Sequence, residues 1–217
     1  MKNILLIIMM LLSIGIHAQK LFDQQNRFTI QSGIDPATMI TFRYERNLDK
    51  MVFDKSLYAS FELSSSMTRF GLENSETKMG VRIPLFNFGK FMFIPGLNTS
   101  YGRAETINFN SQKVGLEGDF AFGYYGSRGF GALTTSYEKI LATRLQHTPY
   151  YRDRFYNDAI DGWYTGNGGI WQFGMEGGFV IKNKIDVYIE IKVPLTENFK
   201  PMMGSPGHVN VGLGYRF

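Results

Sequence analysis

The chain contains no cysteine. That excludes a disulfide-stapled fold and any cysteine-ligated zinc site. Histidine is almost as scarce, with 3 in 217 residues, and His17 sits in the leading apolar segment. The remaining pair, His147 and His208, has no metal-ligand spacing, so neither a metal nor another cofactor is expected. No apolar run of about 18 residues follows the first twenty positions, which excludes a helical membrane bundle. Mean hydropathy is only −0.15. The net charge of +4 is small, and lysines and arginines are interleaved with acids. With no basic stripe, nucleic acid is not a partner. What the chain has in quantity is glycine (24), phenylalanine (19) and tyrosine (12). A disordered chain is poorer in aromatics than this.

The first residues read MKNILLIIMMLLSIGIHAQ. Lys2 gives a positive start, Ile4 to Ile16 an apolar core, and Ala18 a small residue at the expected cleavage point. Residues 1–18 are therefore expected to be a signal peptide. The absence of a following cysteine argues against a lipoprotein. Their removal takes away Lys2 and no acid, so the charge falls from +4 to +3.

From Arg27 onward the dominant period is two. Val209, Val211, Leu213, Tyr215 and Phe217 share one face, and His208, Asn210, Gly212, Gly214 and Arg216 the other. Ile185 to Leu195 and Val114 to Tyr125 repeat the pattern. The alternation predicts ten strands, at 27–34, 39–47, 56–65, 77–86, 91–103, 114–125, 130–140, 169–181, 185–195 and 208–217. Pro95 should mark a bulge or a lost ladder bond. Even-numbered connections are mostly short, such as 126–129 and 182–184, with 48–55 the longest. Most odd-numbered ones are longer: 66–76, 104–113, 141–168 and 196–207. Strands near ten residues and alternating turn lengths predict an all-β fold over 19–217. It is a transmembrane antiparallel up-and-down β-barrel of ten strands, with eight or twelve as neighbouring even counts. Phe28, Tyr44, Phe91, Phe93, Phe122, Tyr124, Phe179, Tyr215 and Phe217 would form a periplasmic girdle. Tyr101, Tyr137, Trp171 and Phe173 would lie nearer the outer interface.

The terminal segment Val211-Gly-Leu-Gly-Tyr-Arg-Phe217 resembles the assembly signal of bacterial outer-membrane β-barrels, with Gly212, Tyr215 and Phe217 in matching positions. The resemblance implies an outer-membrane location, a lipid environment, and the barrel assembly machinery as a partner during biogenesis.

If the apolar face meets lipid, the other face lines a lumen. It carries Arg43, Glu45, Glu62, Lys78, Arg82, Glu117, Asp119, Glu138, Glu176, Asp186, Glu190, Lys192 and Arg216. Such a set is either a selectivity lining or a salt-bridge network that plugs a narrow barrel. Ten strands enclosing long side chains point to a largely filled lumen. Inward glycines at 80, 96, 115, 123, 174, 212 and 214 would leave a thin water path or let long neighbours lie flat. Asp186 and Arg216 should meet, opposite one another in a symmetric register. Glu176 and Glu190 should face each other, with Lys192 or another base neutralising both.

Acyl-transfer chemistry requires a serine with a histidine base. Ser205 and His208 are the only weak candidates. The lipid A deacylases place a nucleophilic serine two residues after their histidine, and Asn210 stands there instead. No catalytic residue is assigned. The connection 141–168 is aromatic, with Tyr150, Tyr151, Arg152, Arg154, Phe155, Tyr156, Trp163 and Tyr164. These residues suit either a recognition surface for an extracellular or envelope protein or glycan, or a lid over the barrel mouth. The main expectation is a structural or interaction barrel acting through its loops. The alternatives are a small-solute channel and an envelope-lipid enzyme.

Overall fold

The computed structural model describes residues 26–35, 37–67, 72–166, 168–202 and 207–217. The expected signal peptide lies outside the described residues, as does Ser205. Twelve strands form one antiparallel sheet. They are β1 (Asn26–Asp35), β2 (Ala37–Val52), β3 (Lys55–Ser66), β4 (Ser75–Arg82), β5 (Phe86–Phe88) and β6 (Phe91–Glu105). The rest are β7 (Phe109–Tyr125), β8 (Gly129–His147), β9 (Gly162–Thr165), β10 (Gly169–Ile181), β11 (Ile185–Thr196) and β12 (His208–Arg216). Two joins close the ring. β1 pairs with β12 from Arg27↔Arg216 to Ile34↔Val209, and β8 pairs with β10 from Gly129↔Phe179 to Lys139↔Gly169. Ten strands make the wall, while β5 and β9 only extend β6 and β8.

Every peptide group of a closed barrel finds its partner within the wall, which is what a hydrocarbon environment demands. The outer face suits it. Val209, Val211, Leu213 and Tyr215 project outward on β12, whereas His208 and Arg216 are buried inside. On β11, Ile185, Val187, Ile189, Ile191 and Val193 are exposed and alternate with buried Asp186, Tyr188 and Glu190. Aromatic rings gather at two heights on this exterior. Near the chain termini, Phe91 stacks on Phe122 at 6.3 Å, Phe93 on Phe120 at 5.9 Å and Tyr215 on Phe217 at 5.8 Å. Toward the opposite rim, Tyr137, Trp171 and Phe173 form a second group. Phe199 stacks on Trp171 at 5.5 Å. A lipid-facing wall with two aromatic girdles is that of a bacterial outer-membrane barrel.

Several boundaries differ from those read in the sequence. The fourth strand ends at Arg82 rather than at residue 86. Pro84 has no N–H to donate and Pro95 on β6 has none either, so regular pairing breaks over residues 83–85 and resumes as β5. Pairing of β6 with β7 runs through Pro95 without a shift, so the lost bonds fall on the β4 side alone. The connection expected over 48–55 contracts to the turn at Phe53 and Asp54, whose φ angles of 52° and 58° suit a two-residue hairpin. The loop expected over 104–113 contracts to residues 106–108, because β6 and β7 continue pairing as far as Glu105↔Asn110. The long connection 141–168 also begins later. β8 continues to His147 after a register shift near Gly115, and β9 pairs back onto it.

The lipid-facing assignment makes a quantitative prediction. Val211→Arg should cost about 2–4 kcal/mol of folding stability in bilayers, the usual penalty for a guanidinium near the midplane. Denaturant titration of vesicle-refolded protein measures it. Wild-type stability for this variant would place the residue away from lipid.

Candidate functional site

The lumen holds the densest collection of charged groups, and their positions follow from strand parity. Inward residues alternate with lipid-facing ones, so Arg27, Thr29 and Gln31 on β1 share the interior with Arg43 and Glu45 on β2. Asp186 is fully buried and sits between two guanidinium groups. Arg216 reaches its carboxylate oxygens at 2.7 and 2.8 Å, and Arg27 at 3.0 Å. Asp186 lies directly opposite Gly214, so Arg216 reaches it diagonally rather than from the facing position. Arg27 continues to Glu45 at 3.2 Å, and Glu45 to Arg82 at 3.4 Å. Arg82 passes to Asp119 at 3.1 Å, and Asn98 joins Asp119 at 2.8 Å to Glu117. Lys78 closes this series on Glu117 at 2.6 Å. Beside it, Arg43 binds Glu62 at 2.6 Å, and Lys113 binds Glu76 at 2.8 Å and Glu138 at 3.1 Å.

All of these contacts join strands that are neighbours in the ring or have one strand between them. The glycines explain how. A Cβ at Gly80 would meet Asn98 Oδ1 at 2.0 Å, and one at Gly96 would meet Asp119 Oδ1 at 2.2 Å. At Gly212 it would meet the Tyr188 ring at 2.4 Å. Asn98, Asp119 and Tyr188 therefore lie flat over a glycine of the adjacent strand and run along the wall. The axis is left as a cavity with about 140 Å³ open to the centres of water molecules, room for several of them. Its lining includes Arg43, Glu45, Glu62, Arg82, Glu117, Asp119, Glu176, Glu190, Lys192 and Arg216. The network is present, but it coats the lumen where residue size alone suggests a plug.

Glu176 and Glu190 face one another across the β10–β11 pair. Lys192 binds Glu190 at 2.8 Å and Asn210 adds a hydrogen bond at 3.3 Å. Glu176 instead accepts only the Tyr125 hydroxyl, at 3.3 Å, and has no ion pair among the described residues. Neutralisation of both acids by one base is therefore not what the structure contains. An apolar side chain cluster occupies part of the same interior. Tyr125 stacks on Phe130 at 6.1 Å, Phe130 lies 6.3 Å from Tyr188, and the Tyr188 hydroxyl donates to Gln31 at 3.0 Å.

Arg27, Glu76 and Lys113 are lumen residues absent from the expected set. Arg27 was legible from its parity with Thr29 and Gln31. Glu76 and Lys113 fell in segments read as loops, and the strand extensions bring them inside.

Above the wall, residues 148–161 fold on themselves. Helix α1 (Pro149–Arg154) starts at Thr148, whose hydroxyl accepts the Tyr151 N–H and donates to the Ile107 carbonyl at 2.7 Å. Asp161 ties the segment together. It accepts the His147 backbone N–H at 2.8 Å, lies 3.0 Å from His147 Nδ1 and pairs with Arg152 at 2.6 Å. Tyr150, Arg154, Phe155, Tyr156, Trp163 and Tyr164 are exposed, Tyr151 and Arg152 half-buried, and none of them lines the central cavity. His208 is buried at the start of β12, level with Lys192. No serine hydroxyl contacts His147 among the described residues.

Two expectations follow. Asp186→Ala strips the shared partner from two guanidinium groups. Breaking a buried pair costs about 3–5 kcal/mol, and the lower end applies here because Arg27 keeps Glu45 and some solvent; urea-linked refolding measures it. The donors on Asp161, chiefly the His147 N–H, hold its pKa down at about 2. A folded value below the free one makes the loop's contribution complete above the ordinary carboxylate range and lost as pH falls through about 2. Proteolysis of the loop should thus be flat from about pH 8 to about pH 4, and faster in Asp161→Asn throughout. Equal cleavage of variant and wild type would discount the clasp.

The sequence matches no protein-family model and no curated protein. Among solved structures, the chain is similar to the KdgM porin at 10% identity and a TM-score of 0.37, over 88% of this chain and 99% of that one. It is similar to the NanC porin in a rhombohedral crystal form at 12% identity and 0.38, over 89% and 100%. For the Acinetobacter baumannii outer membrane protein Omp33 the figures are 10% and 0.32, over 89% and 98%.

Proposed function

We propose that the protein is a narrow water-filled channel for small polar or ionic solutes across the outer membrane. The observation that carries this reading is the direction of the lumenal ion pairs. They run along the wall, over glycines, and leave a charged cavity on the axis. A plug would need pairs that cross the bore. Apart from Glu176, the charged groups of the lining are compensated by one another, so water and solute meet mostly hydrogen-bonding groups rather than bare charge.

A second reading rests on a separate observation. Phe155, Tyr156, Ile160 and Trp163 present exposed apolar surface beyond the barrel, a composition suited to contact with an envelope protein or glycan. That role is compatible with conduction, since the loop does not line the cavity. Tyr215 and Phe217 remain exposed on the outer wall, where the assembly machinery would read them during insertion.

Refolded full-length protein in a planar bilayer should give small steady openings in potassium chloride. A variant lacking residues 149–161 should conduct equally. Silence of the full-length protein would overturn the channel reading, and openings confined to the deletion would make the loop a lid.

A further inference from the structure

The charges that line the cavity balance, six cations against six acids, but they are not evenly mixed. Around the cavity, β1–β4 supply four cations and two acids, whereas β6–β10 supply Glu117, Asp119 and Glu176 and no cation. One wall is therefore positive and the facing wall negative. Glu117 and Asp119 are committed to Lys78, Arg82 and Asn98. Glu176 is not. Its carboxylate takes a single hydrogen bond from Tyr125, while Glu190, which it faces, and then Arg27, Arg82 and Arg43 act on it electrostatically from beyond ion-pair distance. On the positive side, the Arg82 side chain lines the cavity and is 28% exposed. An acid without an ion pair and a partly exposed guanidinium thus line the same cavity.

We propose that this cavity is a binding site for small zwitterions of the α-amino-acid class, with the ammonium at Glu176 and the carboxylate on the Arg43 and Arg82 side. A simple cation at Glu176 would face the cationic wall, and a simple anion at the arginines would face Glu176. A molecule carrying both charges a few bonds apart satisfies both walls and leaves the lumen neutral. Charge complementarity of this kind selects among solutes of similar size. The limited cavity favours short side chains. This assignment rests on the channel reading insofar as solute must reach the lumen, yet binding is measurable without conduction.

The test uses L-alanine, propionate and ethylammonium as probes on the refolded full-length chain. In the bilayer, alanine should reduce the potassium chloride current saturably, and each singly charged probe should need about tenfold higher concentration. Glu176→Gln should raise the half-saturating concentration of alanine by about tenfold and leave that of propionate no weaker. Steady current with the three probes equally effective would overturn the site and leave the channel standing. An absence of current would overturn the channel reading. Saturation-transfer NMR on the detergent-folded barrel would then decide the site, preference for alanine supporting it and equal binding of the three probes refuting it. Those wild-type comparisons also decide the matter if Glu176→Gln does not fold.

Discussion

The structure depends on the pairing of an inward glycine with a long polar side chain on the neighbouring strand. Strands in a sheet lie about 4.8 Å apart, so inward side chains compete for little width. Where one strand offers no Cβ, the neighbour's side chain can fold down over it. Lys113 does so over Gly102, Glu138 over Gly115 and Lys192 over Gly174. Lying flat carries Lys113 to Glu76 on the next strand but one, while Glu138 meets Lys113 on the adjacent strand and Lys192 meets Glu190 on its own. A side chain at those glycines would lift the heads toward the axis, closing the bore and breaking the pairs together. One packing rule thus produces both the ion-pair network and the cavity.

The network does more for register than for net stability. Buried ion pairs recover their desolvation cost only with good geometry, and are weak stabilisers on balance. Their effect against misfolding is larger. Shifting one strand by a single residue would turn its inward charges toward lipid. Each basic group so placed near the midplane would cost about 2–4 kcal/mol. The alternation of Ile189 outward with Glu190 inward therefore fixes pairing through the penalty on alternatives. Glu45 shows the same logic at a junction. It holds Arg27 on one side and Arg82 on the other, so β1, β2 and β4 are locked to a common height.

Much of this was legible from period two. The faces of β11 and β12, the ten wall strands and the meeting of Asp186 with Arg216 all follow from parity. The extensions of β6, β7 and β8 were not legible, because residues such as Asn110, Ser111 and Gln112 carry no apolar face to reveal the period. The bore was also hidden. Counting long side chains in a narrow barrel suggests filling, and only the pairing of Gly96 with Asp119 or Gly212 with Tyr188 shows which way those chains run. Such pairings depend on inter-strand register, which a single sequence does not state. The split between Glu190 and Glu176 is of the same kind: Lys192 could have served either acid, and its conformation selects one.

The two regions of chemical interest share no side chain, although β8 runs through both. The loop clasp involves His147, Arg152 and Asp161, with Thr148 tied to the Ile107 carbonyl. The lumen network involves none of them. Energetic coupling between distant sites needs an element that both can bias, and no side chain is shared here among the described residues. The aromatic row Tyr125–Phe130–Tyr188 is the bulkiest inward group, and it is anchored at one end by Gln31 and at the other by Glu176. The carboxylate that faces the cationic wall is thus also the acceptor that holds Tyr125 in place. A ligand at Glu176 would therefore meet the same carboxylate that holds Tyr125.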